Sequence, residues 1–175
     1  TSGGTTRTLR VAVDGEGPYG CAVGDLDGDG DDDPIVCCPV ADFPELNGLI
    51  HWFELQPNNT WLKHQVTRDF YGAERIRAFD MDKDGDLDVI AAAYYGEENY
   101  SPSNNRNGRF GWFENLDGSG TAWEQHLAGE MFWGGRDVDA GDLDGDGDID
   151  LVGASELTNG VYEQEGDITW FENLD

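Results

Sequence analysis

The chain has 175 residues, of which 37 are Asp or Glu and only 10 are Lys or Arg, a formal net charge of −27. With 38% apolar residues it can build a core of ordinary domain size, but it has too few cations for a basic patch, which disfavours nucleic acid and anionic membrane surfaces as partners. No apolar run approaches bilayer-spanning length, which predicts a soluble protein without membrane insertion, and no charged-then-apolar leader opens the chain, as expected of a mature form or an excised piece.

In chain order, Thr8-Leu9-Arg10-Val11-Ala12-Val13 reads as a strand. Cys21 then precedes the first of three acidic loops, which starts at Asp25; the others start at Asp80 and Asp142. Carboxylates stand at loop positions 1, 3, 5, 7 and 9: Asp25, Asp27, Asp29, Asp31 and Asp33; Asp80, Asp82, Asp84, Asp86 and Asp88; Asp142, Asp144, Asp146, Asp148 and Asp150. Position 6 is Gly each time. So many anions in nine residues repel one another unless a hard cation sits among them, and oxygen-only ligands select calcium, which predicts three calcium sites. Positions 1, 3, 5 and 9 are expected to supply side-chain oxygens. Position 7, at Asp31, Asp86 and Asp148, is expected to supply its backbone carbonyl.

These are not EF-hands, because position 12 holds Val36, Ala91 and Gly153 where that motif needs a bidentate Glu. Apolar segments follow the loops, Ile35-Val36-Cys37, Val89-Ile90-Ala91 and Leu151-Val152-Gly153, so each ion is expected in a loop entering a strand. Cys37 lies four residues after Asp33, as Cys21 lies four before Asp25. In a hairpin closed by the loop the two are expected to face each other, either as a disulfide or as two reduced thiols replacing the apolar pairs Ile76 with Ala92 and Val138 with Ala154.

A variable stretch and an aromatic strand come next in every copy: Ile50-His51-Trp52-Phe53-Glu54, Phe110-Gly111-Trp112-Phe113-Glu114 and Ile168-Thr169-Trp170-Phe171-Glu172. Trp-x-x-His strands, Trp61 to His64 and Trp123 to His126, begin nineteen residues before Asp80 and Asp142; the same count back from Asp25 reaches Thr6. No convincing helical period occurs. The fold class is therefore all-β, with four-stranded antiparallel blade-like repeats over 1–59, 60–120 and 121–175 in one continuous array. Repeated Trp and His residues are expected to serve packing. Asn58-Asn59-Thr60 and Asn99-Tyr100-Ser101 fit the N-glycosylation pattern.

The loops Gly24-Asp-Leu-Asp-Gly-Asp-Gly, Phe79-Asp-Met-Asp-Lys-Asp-Gly and Gly141-Asp-Leu-Asp-Gly-Asp-Gly, with the Trp-Phe-Glu-Asn strands, resemble FG-GAP or VCBS-type repeats, the calcium-binding blades also found in integrin α-subunit propellers. The resemblance implies β-propeller blades with calcium in the hairpin joining the first two strands, in secreted or cell-surface proteins. Propellers need at least four blades, so three repeats do not close a ring. The sequence at Leu174-Asp175 and at Thr1-Ser2-Gly3 together resembles Leu116-Asp117-Gly118-Ser119-Gly120, which leaves a fragment, a ring of several chains or a head-to-tail filament.

The expected function is an extracellular, calcium-stabilised structural or adhesion module whose partners are other copies of itself or further repeats. The alternative is a lectin-like module that binds glycans through variable loops such as 94–108. An enzyme, a calcium-dependent hydrolase or lyase, is the third reading; no catalytic constellation is recognisable, and no catalytic residue is assigned.

Overall fold

A computed structural model describes residues 17–41, 47–94, 108–132, 134–157 and 165–173. The strands are β1 (Gly20–Gly24), β2 (Asp33–Ala41), β3 (Asn47–Leu55), β4 (Trp61–Thr67), β5 (Ala73–Phe79), β6 (Asp88–Ala93), β7 (Gly108–Asn115), β8 (Trp123–Phe132), β9 (Gly135–Gly141), β10 (Asp150–Leu157) and β11 (Glu165–Phe171). They form three antiparallel sheets, ordered β1-β2-β3-β4, β5-β6-β7-β8 and β9-β10-β11. The fold is all-β and blade-like. Among the described residues no helix is long and apolar enough to cross a membrane.

The sheets stack because their middle strands are apolar on both faces. In β6, Val89, Ala91 and Ala93 join a core shared with the first sheet, including Leu26, Ile35, Trp52 and Phe113. The alternate residues Ile90 and Ala92 join a second core with Phe110 of the same sheet and Val138 and Leu151 of the third. A period of two therefore sends successive side chains to two different interfaces, and every residue of β6 is buried. β5 packs on β1 and β2, and β9 on β5 and β6.

The sheets are offset from the sequence repeats by one strand. Divisions at 60 and 121 separate the Trp-x-x-His strands from the aromatic strands before them, yet β4 pairs with β3 and β8 with β7. Short turns fold each strand straight back, so that His64 stacks on Trp52 at 4.1 Å and His126 on Trp112 at 4.3 Å. The same imidazoles bond Glu54 at 2.9 Å and Glu114 at 2.7 Å. Each Trp-x-x-His motif is thus the partner of a Trp-x-Glu face, and each acidic loop joins the first two strands of its sheet.

The hairpin register differs by one from that expected for the cysteines. The loops close on Gly24 with Asp33, Phe79 with Asp88 and Gly141 with Asp150, so Cys21 pairs with Val36 and Cys37 with Gly20. Directly paired residues share a face, which puts Cys21 and Cys37 on opposite faces. All three cysteines are free: Cys21 is exposed, and Cys37 and Cys38 are buried. Burial pushes the Cys37 thiol up to about 12. The pairs Ile76 with Ala92 and Val138 with Ala154 shift likewise, to Ala91 and Gly153. The expected strand at 8–13, most of the loop 94–108 and Asn99 lie outside the described residues.

Candidate metal centres

Each acidic loop is curled by its own side chains. In all three, the position-3 carboxylate accepts the N–H of position 5 and the position-5 carboxylate accepts that of position 7, at 2.9 to 3.2 Å. Asp is suited to such short side-chain turns. Two positions need left-handed backbone: position 6, as expected, with Gly30, Gly85 and Gly147 at φ 98°, 104° and 105°, and also position 4. There Gly28 and Gly145 adopt φ 73° and 82°, but the second loop has Lys83 at φ 61°. The sequence signal for this second turn was Gly at position 4 in two of the three loops.

Position 9 anchors each loop to its strand. One oxygen of Asp33, Asp88 and Asp150 accepts the N–H of position 2, from Leu26 at 3.2 Å, Met81 at 2.8 Å and Leu143 at 2.9 Å. The other oxygen of Asp88 and of Asp150 accepts the N–H of Asn115 and of Asn173, both at 2.9 Å, at the end of the aromatic strand. These carboxylates are buried. Burial pushes the Asp33 and Asp88 carboxyls up to about 7, and neighbouring loop carboxylates add to the rise. The N–H bonds from Asn173 and Leu143 hold Asp150 below the usual carboxylate range.

The carboxylates at positions 1, 3 and 5 converge in the first and third loops: Asp25, Asp27 and Asp29, and Asp142, Asp144 and Asp146, have oxygens within 4.8 Å of one another. In the second loop the converging set is Asp80, Asp82 and Asp88. No His or Cys belongs to any of these groups. Asp31 is exposed, and Asp148 receives Lys83 Nζ at 3.4 Å. Burial raises Asp27 and Asp82, and raises Asp86 to about 6.

The sites fit a cation on one specific observation. Oδ1 of Asp25, of Asp80 and of Asp86 is buried and accepts no hydrogen bond within the protein. A buried carboxylate oxygen without a donor is unfavourable by itself, and a hard cation beside it would satisfy it. Asp25 and Asp80 are the position-1 residues, where the expected ligand set begins. With oxygen donors only, the sites suit calcium or magnesium better than zinc or copper.

Neighbouring loops are also tied together. Asn115 Nδ2 donates to Leu26 O of the first loop at 2.9 Å and to Leu87 O of the second at 3.4 Å, and Asn115 Oδ1 accepts from Gly120 N at 3.0 Å. Gly120 O in turn accepts both Trp52 Nε1 and Trp123 Nε1, at 3.0 and 2.9 Å. Sequence reading did not single out Asn115; the Asn closing two of the three aromatic strands was its only trace.

The family model described as an FG-GAP-like repeat matches residues 80–153. This stretch is an FG-GAP-like repeat. It runs from the first carboxylate of the second loop to just past the last carboxylate of the third, so the matched stretch contains two acidic loops and the four strands, β6 to β9, that connect them. The repeat is of the β-propeller type, in keeping with the stacked sheets. A comparison with curated proteins gives no match.

Proposed function

We propose that the protein is an extracellular, calcium-stabilised repeat module whose work is assembly or adhesion. The buried position-1 oxygens of Asp25 and Asp80, without a hydrogen-bond donor inside the protein, carry the calcium part of this reading. Calcium sites of millimolar or sub-millimolar affinity fill outside cells and stay empty in a resting cytosol, which motivates the extracellular setting. The FG-GAP-like repeat suggests a structural rather than a catalytic role. The three acidic loops are assigned to three ions. The carboxylates at positions 1, 3 and 5, with position 9 in the second loop, are the first candidates to hold them.

Calorimetric titration of calcium into the chelator-treated protein is expected to fit three sites, and Asp27→Ala, Asp82→Ala or Asp144→Ala is expected to remove one each. Absence of calcium-dependent heat in the unaltered chain would reject the metal reading.

A further inference from the structure

The turn that follows β7 stands between the first two acidic loops and touches both. Gly118 adopts φ 57°, and a Cβ on it would come within 2.8 Å of Asp86 Oδ2 in the second loop. Its carbonyl oxygen lies 3.6 Å from where a Cβ on Gly28 of the first loop would stand. Asp117 holds the turn in shape, accepting the N–H of Ser119 at 3.1 Å and of Thr121 at 3.3 Å together with the Thr121 hydroxyl. The connector between the loops is therefore ordered by its own bonds.

Asn115, fully buried, joins this turn to groups beside both candidate sites. On the second loop its N–H donates to Asp88 at 2.9 Å, and Asp88 belongs to the converging set with Asp80 and Asp82. On the first loop its Nδ2 donates at 2.9 Å to the carbonyl of Leu26, the residue between Asp25 and Asp27 of that converging set. Leu26 is itself buried and its N–H is held by Asp33 at 3.2 Å, so the placing of this short segment fixes where the two flanking carboxylates start. Each of the two sets also holds a buried oxygen that accepts no hydrogen bond within the protein, Asp25 Oδ1 in the first and Asp80 Oδ1 in the second.

We infer that Asn115 is a positioning residue for both centres and makes calcium binding at the first two loops positively cooperative; the inference rests on the calcium reading above and adds how the sites act on each other. A cation held by Asp80, Asp82 and Asp88 restrains the Asp88 carboxylate, and the bond from the Asn115 N–H passes that restraint to the residue whose amide holds Leu26. The first loop then loses less conformational freedom on closing round its own cation, which is the source of the added affinity. Linkage makes the effect reciprocal, so the first site strengthens the second by the same factor. Charge works the other way, because a filled loop attracts the next cation less. Asp29, Asp31, Asp32, Asp82 and Asp84 are exposed, however, and charges in solvent are screened over about 8 Å at physiological ionic strength, whereas the Asn115 bonds to Asp88 and Leu26 are buried.

Calorimetric calcium titration of three variants of the full chain tests this. Asp144→Ala leaves the first two sites, and adding Asp82→Ala or Asp27→Ala leaves the first or the second alone. The product of the two stepwise association constants in Asp144→Ala is expected to exceed the product of the two single-site constants about fivefold or more. Raising the salt concentration is expected to enlarge this ratio. Asn115→Ala, added to all three and confirmed as folded, is expected to bring the ratio to one or below, whereas loss of a merely structural residue from a folded chain would leave it as it was. A ratio of one with Asn115 in place would overturn the coupling while two bound ions uphold the calcium reading, and that comparison stands without any Asn115 variant. A ratio that survives Asn115→Ala would overturn Asn115 as the link. No calcium-dependent heat in any of the chains would overturn both.

Discussion

Carboxylates in the acidic loops carry two kinds of role that look the same in the sequence. Those at positions 1 and 3 converge in every loop, whereas those at position 9 are buried acceptors for backbone N–H groups that fasten loop to strand, Asp88 alone among them also joining the converging set of its loop. The difference has a consequence for pH. With metal removed, Asp33 and Asp88 titrate near 7 in the folded protein but near 3.8 when unfolded, because burial penalises their charged forms. Between these values the folded state binds more protons, so the stability they contribute is fully present below about 3.8 and is lost as pH rises through about 7. In chelator, the melting temperature is therefore expected to fall from pH 4 to pH 8, less steeply in Asp33→Asn and Asp88→Asn. Saturating calcium, which favours the ionised carboxylates, should remove the fall. A metal-free melting temperature that climbs over this range would contradict the assignment. Lys83 adds a local strain at φ 61° that Gly28 and Gly145 avoid; its ammonium reaches Asp148 of the next loop, so the second and third loops are linked by the residue that fits its turn least well.

Asn115 shows how a strand end becomes a junction. Its side chain satisfies the carbonyls of Leu26 and Leu87 and the N–H of Gly120, while its own N–H binds Asp88. Asn115→Ala leaves these buried groups without partners and is expected to destabilise by about 2 to 3 kcal/mol in urea unfolding, since each orphaned buried group costs roughly 1 to 3 kcal/mol. A change below about 0.5 kcal/mol would show that water replaces the side chain freely. The equivalent residue is Leu55 in the first sheet and Asn173 in the third. The stacked Trp52–His64 and Trp112–His126 pairs belong to the same order of organisation. The Trp-Phe-Glu and Trp-x-x-His motifs were both visible in the sequence, but their partnership was not, because the hydrogen-bonding between strands decides which repeat a strand joins. Likewise the symmetric spacing of Cys21 and Cys37 about the loop suggested a facing pair, and a one-residue register difference placed them on opposite faces.

Across the molecule, calcium and the two cores are expected to act together. Binding that favours the folded state adds about 2.7 kcal/mol per site when calcium exceeds the dissociation constant about a hundredfold. Excess chelator at neutral pH is thus expected to lower the melting temperature. Because β6 serves both cores through alternate residues, loss of calcium should shift one cooperative transition rather than split it into three. Unchanged melting in chelator would remove calcium from the account. The sequence by itself determined the all-β class, the three acidic loops, the glycine turn at position 6 and the repeating aromatic strands, because these follow from periodicity and from residues with narrow conformational or chemical preferences. Only the tertiary structure decided the phase of the sheets, the register of the hairpins, and the roles of Asn115 and Gly120. Those depend on which strands pair and which faces meet, and residues far apart in the chain set both.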